Sequence, residues 1–152
     1  WAEDSRKRFD SALSQVQFLV MGEACYIMQD GTQVAPSAEC TIEASELHDA
    51  LIAGGINGQK VERVMLHYEP QECSLRVMVG DDLKGGKTVS GLDTITANGD
   101  QVFSATVGGG LAFCLPTKGT LRLRFFDFTD YDAGVSVSFD YAGSCVFVRE
   151  VK

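Results

Sequence analysis

The fold of this chain is decided by the stretch LRLRFF at residues 121–126. Its apolar side chains Leu121, Leu123 and Phe125 occupy every second position. Because successive side chains of a β-strand point to opposite faces, this alternation predicts a strand with one packed and one solvated face. Residues 135–140, with the sequence VSVSFD, alternate in the same way. The two stretches together predict antiparallel β-sheet.

Further strands are predicted on both sides of this stretch. In chain order they cover residues 23–29, 32–35, 61–69, 74–79, 88–96, 101–107, 111–115 and 145–151. Asp30-Gly31 and Asn98-Gly99 are dipeptides that favour the tight turns of β-hairpins. Each dipeptide therefore predicts that the strands on its two sides pair with one another.

A long amphipathic helix is predicted at the start of the chain, over residues 2–21. Its apolar side chains recur at spacings of three and four and so share one face: Phe9, Leu13, Val16 and Val20. Gly22 follows at the position where glycine commonly ends a helix.

A second, shorter helix is predicted over residues 43–53, with Thr41 as its N-cap and Gly54 at its end. The side chains predicted to face inward are Ala44, Leu47, Leu51 and Ile52. We therefore expect an α+β fold in which the N-terminal helix and this short helix pack on a largely antiparallel sheet or sandwich of about seven strands.

The chain has no linker or internal repeat, and its 152 residues are the usual size of one domain. We expect a single domain over residues 1–152. Within it, residues 1–22 form the N-terminal helix, residues 23–56 a hairpin with the short helix, and residues 60–152 the antiparallel β region.

Charge and composition exclude several classes of partner. The acidic net charge of −8 argues against nucleic acid, because such binding depends on clustered Lys and Arg. No apolar run approaches the roughly 20 residues that a transmembrane helix needs, so we expect no membrane insertion. No nucleotide-binding or catalytic motif is present, and we expect a protein that is not an enzyme and needs no cofactor.

Five cysteines are spread along the chain, at positions 25, 40, 73, 114 and 145. One interpretation is two disulfides, Cys25–Cys40 and Cys114–Cys145, which would place the domain outside the cytoplasm. The other is a set of reduced core thiols, since free cysteine is among the most buried residue types. The start at Trp1 is consistent with a removed signal peptide or anchor.

The acidic segment Asp127, Asp130 and Asp132, followed by Gly134, carries oxygen ligands of the kind that calcium prefers. The alternative is an acidic turn that keeps strand edges solvated. His67 and Glu69 share one face of a strand, where they could bind a metal or supply a general base; the alternative is a histidine that faces solvent. A small enzyme would instead bring Cys73, His67 and carboxylates together in one pocket.

Phe126 or Phe128, exposed beside Arg122 and Arg124, would form a surface typical of protein interfaces and sugar-binding faces. The alternative is a core packed on both sheet faces, with the N-terminal helix covering the second face. The residues predicted to bind a protein or glycan partner are Arg122, Arg124, Phe126, Phe128 and Tyr131.

A long N-terminal helix leading into an antiparallel sheet, with Cys114 and Cys145 bracketing the C-terminal part, resembles the soluble part of a type IV pilin. That resemblance implies a filament subunit that assembles with copies of itself. Three hypotheses follow: an extracytoplasmic, non-catalytic binding or assembly module acting through a protein or glycan surface, a pilin-like subunit, and a small enzyme with a cysteine or acidic site.

Overall fold

A computed structural model describes residues 20–21, 24–25, 27–29, 32–54, 63–80, 87–97, 99–109, 112, 115–127, 135–141 and 144–148. Its strands, numbered here in chain order, are β1 (Val20–Met21), β2 (Ala24–Cys25), β3 (Ile27–Gln29), β4 (Thr32–Val34), β5 (Ala38–Glu43), β6 (Arg63–Glu69), β7 (Ser74–Val79), β8 (Lys87–Val89), β9 (Asp93–Ala97), β10 (Phe103–Gly108), β11 (Thr120–Asp127), β12 (Val135–Tyr141) and β13 (Ser144–Val148). Helix α1 spans Ala44–Ala53, and a 3-10 turn spans Pro70–Glu72.

Two antiparallel sheets contain most of these strands. One has four strands in the order β10-β6-β7-β8, and the other has five in the order β13-β12-β11-β5-β9. Buried side chains from both sheets form one core cluster. At its centre the ring of Tyr68 from β6 stacks on the ring of Phe125 from β11, with centroids 5.2 Å apart. The described part of the chain is therefore a β-rich α+β fold of sandwich type with one helix.

Helix α1 lies against β5, β7 and β8. It buries Ala44, Leu47, Ala50 and Leu51, which confirms most of the predicted inner face. Ile52 was predicted to face inward and is instead 44% exposed, because it lies to the side of that stripe. The predicted N-cap is also wrong: Thr41 belongs to β5, and the helix starts after Glu43, which makes no side-chain cap.

Gly54 ends α1 as predicted. A Cβ atom at this position would lie 2.6 Å from Cγ2 of Val79 in β7. The glycine therefore allows the end of the helix to approach the four-stranded sheet closely.

The predicted long strand over residues 88–96 is two strands in different sheets. Gly91, with φ of 73°, lies between them in the left-handed region that glycine adopts readily. Strand β8 pairs with β7, whereas β9 pairs with β5. The predicted hairpin at Asn98-Gly99 is also wrong, because β9 and β10 on its two sides belong to opposite sheets.

The predicted first hairpin is confirmed, since β3 and β4 pair in antiparallel register with Gln29 opposite Thr32. The predicted N-terminal helix is wrong at its end, because Val20–Met21 is a strand paired with Ala24–Cys25. Its residues 2–19 lie outside the described residues. The predicted strand over residues 111–115 is wrong at Leu115, which lies in a bend. The backbone N–H of Leu115 donates a hydrogen bond to the carbonyl of Ala112.

Candidate functional site

The predicted binding face on β11 is largely occupied by contacts within the protein. Phe126 is only 1% exposed, and the guanidinium carbon of Arg124 lies 5.9 Å from its ring centre. Nη2 of Arg124 donates to Oδ1 of Asp140 at 3.1 Å. Phe126 was expected to be exposed, and its burial removes it from any external surface. Phe128 and Tyr131 lie outside the described residues.

Arg122 is the predicted binding residue that remains exposed, and its Nε lies 3.8 Å from Oε1 of Glu39. Burial raises the pKa of Asp140, while the neighbouring guanidinium of Arg124 opposes that rise. The arginines of β11 therefore form ion pairs along the sheet. Among the described residues of this face, the one aromatic binding candidate, Phe126, is buried, so the described part offers no exposed ring for a sugar to stack on.

Ser136 and Ser138 on β12 were expected to be solvated and are instead buried. Their hydroxyls have no hydrogen-bond partner among the residues that the structure describes. Strand β2 lies against β12 and β13, which removes part of this region from solvent. The alternation of β12 is thus a true strand signal, but it does not distinguish a solvated face from a covered one.

The predicted calcium ligands are only partly described. Oδ2 of Asp127 accepts a hydrogen bond from Nε2 of Gln101 at 2.5 Å, whereas Asp130 and Asp132 lie outside the described residues. Within the described ranges, no three His, Cys, Asp or Glu side chains are arranged to hold a metal. The calcium site stays a prediction.

Cys40 and Cys73 lie near the hydroxyl groups of Tyr68 and Thr94 between the sheets. We call these four side chains the hydroxyl cluster. The Tyr68 hydroxyl lies 2.6 Å from Oγ1 of Thr94, and the Cys40 thiol is close enough to influence the pKa of Tyr68. Oγ1 of Thr94 donates to Sγ of Cys73 at 3.8 Å, and that thiol donates to the Pro70 carbonyl. Burial raises the pKa of both Cys40 and Tyr68 to about 12, which keeps the thiol and the phenol neutral.

Cys40 and Cys73 are free thiols. The predicted Cys25–Cys40 disulfide is therefore wrong, because Cys40 is a free thiol enclosed in the core. The predicted Cys114–Cys145 bridge falls on side chains outside the described residues. The remaining three cysteines can form at most one bridge, so the cysteine pattern supports an extracytoplasmic location less strongly than expected.

The predicted pocket of Cys73 and His67 is not assembled. Cys73 follows the 3-10 turn, where φ of 49° places it in the left-handed region, and its sulfur faces Thr94. Burial alternates along β6, so His67 lies on the opposite face from the buried Tyr68. The two candidate residues therefore contact different groups.

His67 instead joins a hydrogen-bonded chain on the outer face of the four-stranded sheet. Its Nδ1 lies 2.7 Å from Oγ of Ser104, and its Nε2 lies 3.2 Å from Oε1 of Glu69. Ser104 stands directly opposite His67 in the β10–β6 register. Sequence reasoning placed His67 and Glu69 on one face correctly but missed Ser104, because the false hairpin paired β10 with β9.

The edge of the five-stranded sheet at β9 presents apolar side chains to solvent. In the described part of the chain, β9 has a strand neighbour on one side, β5. The register between β5 and β9 shifts by one residue, so Ile95 has no partner residue in β5. Ile95 is 46% exposed, and Val102, in the connection to β10, is 45% exposed. We call residues 93–97 the β9 edge.

The two edges of the four-stranded sheet, β8 and β10, differ from the β9 edge. Strand β8 has three residues and begins with the exposed Lys87, and lysine on a short strand opposes pairing with another chain. Strand β10 is largely buried and lies against β11 and β12.

Comparison of the chain with protein-family models, with curated proteins and with solved structures finds no match. Its function is therefore argued from the geometry of its own residues.

Proposed function

We propose that this protein is a non-catalytic binding module whose partner is a protein, and that the partner adds to the β9 edge. The observation that carries this proposal is the 46% exposure of Ile95 on a strand with one described strand neighbour. A strand at the edge of a sheet presents backbone N–H and C=O groups that can pair with an extended segment of another chain.

The chemistry of the edge indicates the kind of segment it would accept. Ile95 offers an apolar contact, while the exposed Asp93 supplies negative charge at the start of the strand. Asp100, also exposed, lies beyond the strand in sequence and accepts a hydrogen bond from Gln71. The net charge of the whole chain is −8. An extended segment with apolar and basic residues therefore complements this edge. The bulge at Ile95 limits regular pairing to short stretches, which suits a short peptide segment better than a long sheet.

An extracytoplasmic location is part of this proposal and rests on the predicted Cys114–Cys145 bridge. A glycan partner has less support than a protein partner, because Phe126 is buried. The pilin-like filament remains a prediction, since residues 2–19 of its predicted N-terminal helix fall outside the described residues, while residues 20–21 form a strand. As a related finding, no helix in the described ranges is long and apolar enough to cross a bilayer.

Selection from a displayed peptide library tests the proposal. Peptides enriched on the wild-type protein should bind Ile95→Lys at least about tenfold more weakly, a loss of about 1.4 kcal/mol. The reason is that lysine removes the apolar contact and opposes pairing at an edge.

The matched control is Ile52→Lys, which changes an isoleucine of similar exposure, 44%, on α1 rather than on the edge. It should leave peptide affinity unchanged. If the enriched peptides bind both variants as tightly as wild type, or if no peptide is enriched, the β9 edge is not a binding site.

A further inference from the structure

We propose that Ser104 is a nucleophilic serine that accepts acyl groups from small activated esters, with His67 as its base and Glu69 as the residue that positions His67. The three side chains form one hydrogen-bonded chain on the outer face of the four-stranded sheet. This inference is independent of the β9 edge and concerns a single acylation of Ser104 rather than a turnover reaction, so it is compatible with a non-catalytic module. The sequence pattern singles out His67 and Glu69, whereas nothing in it marks Ser104.

The carboxylate of Glu69 determines which imidazole nitrogen can act as a base. An ionised carboxylate only accepts hydrogen bonds, so the 3.2 Å contact between its Oε1 and Nε2 of His67 places the ring proton on Nε2. Nδ1 of the neutral ring then carries a lone pair. Oγ of Ser104 lies 2.7 Å away and donates its proton to that lone pair, which is the contact that a serine nucleophile and its base require.

The sheet holds this arrangement in place while leaving it accessible. Ser104 and His67 are register partners on paired strands, and Glu69 is two residues from His67 on the same strand. The side chains of His67 and Glu69 are 30% and 41% exposed. Ser104 itself is half-buried, so the three side chains lie together at the solvent-facing surface of the sheet.

In the acylation step, Oγ of Ser104 bonds to the carbonyl carbon of the ester as its proton passes to Nδ1 of His67. The bond between that carbon and the leaving oxygen then breaks, and His67 returns the proton to the leaving phenolate. The products are an acylated Ser104 and a free phenol. A good leaving group is needed because no described residue is seen to stabilise the oxyanion.

The test uses the folded chain and p-nitrophenyl acetate, with release of p-nitrophenol followed by absorbance and the acetylated residue located by peptide mapping. We expect one fast acetylation at Ser104. Ser104→Ala should abolish it, and His67→Ala should slow it about 10²-fold or more, the usual contribution of a positioned base.

Two further variants separate positioning from simple structural support. Glu69→Gln keeps an oxygen that accepts from Nε2 and should retain more of the rate than Glu69→Leu. Ser74→Ala removes a serine opposite Glu69 on the neighbouring strand and should leave the rate unchanged. Acetylation of lysines or Cys73 alone, or equal rates in wild type and Ser104→Ala with both folded, overturns the proposal.

Discussion

At the residue scale, the contact between Arg124 and Asp140 shows how an arginine predicted to bind a partner can serve the fold instead. The side chain of Arg124 is 11% exposed and that of Asp140 is 17% exposed. Removing one member of such a pair leaves a charge in a poorly solvated place, which costs more than the pair itself contributes.

Arg124→Met should therefore lower the free energy of unfolding by about 2 kcal/mol, somewhat less than the cost of breaking a fully buried pair. Because Arg124 opposes the raised pKa of Asp140, its loss should raise that pKa further. The difference in the free energy of unfolding between wild type and Arg124→Met should then become smaller at acid pH, because a protonated Asp140 carries no charge to leave unpaired. Urea denaturation at several pH values measures this effect.

Arg122→Met is the control for this prediction, because the side chain of Arg122 is about half exposed. It should change the free energy of unfolding by no more than about 0.5 kcal/mol. Equal losses in the two variants would show that the Arg124–Asp140 pair has no special role.

A second prediction at the residue scale concerns the loss of stability at alkaline pH, which follows from the burial of Tyr68 and Cys40 in the hydroxyl cluster. The pKa values of Tyr68 and Cys40 are raised to about 12 by burial, so the unfolded chain releases these protons at lower pH than the folded chain. Their contribution to stability is present below the pKa values of the unfolded chain. It is lost as the pH rises toward about 12.

Tyr68→Phe should make that alkaline loss shallower, by up to about 1.4 kcal/mol per pH unit, although the variant loses a hydrogen bond to Thr94 at neutral pH. Cys40→Ala should have a similar effect that begins at lower pH, because the ordinary pKa of a thiol is lower than that of a phenol. An unchanged pH profile in both variants would contradict the burial of these groups.

At the scale of elements, the sequence predicts the position of most strands but not their partners. Residues 74–79 are predicted and observed as the same strand, because alternation depends only on local geometry. Pairing depends on which sheet a strand joins, and Gly91 moves the chain from one sheet to the other between β8 and β9. A short glycine-containing bend leaves no periodic signal of that crossing.

The difference between strand position, which is local, and strand pairing, which is not, also explains which parts of the candidate sites could be predicted. The shared face of His67 and Glu69 follows from alternation within β6, whereas the contact with Ser104 follows from the pairing of β6 with β10. The exposure of Ile95 follows from a register shift against β5. Neither pairing nor a register shift can be derived from one strand alone.

At the scale of the whole molecule, the number of disulfides tests the proposed extracytoplasmic location. Cys40 and Cys73 are free thiols, which leaves three cysteines for at most one disulfide. Alkylation of the unfolded, unreduced chain, followed by intact mass, should therefore count three or five thiols. Three would support the extracytoplasmic location, and five would remove its main support. A single thiol would contradict the described environment of Cys40 or Cys73.

The proposed binding function depends on the fold of the whole molecule, because the β9 edge forms only when β9 pairs with β5 in the five-stranded sheet. Backbone pairing by a partner protects amide hydrogens from exchange with solvent. That protection distinguishes strand addition from binding through side chains elsewhere on the surface.

Hydrogen exchange of the protein with and without a library-selected peptide is the most direct measurement. Strand addition predicts slower exchange within residues 93–97 when the peptide is bound, with little change in α1 or on the outer face of the four-stranded sheet. Protection confined to those other regions, with residues 93–97 exchanging as fast as before, would contradict the β9 edge as the binding site.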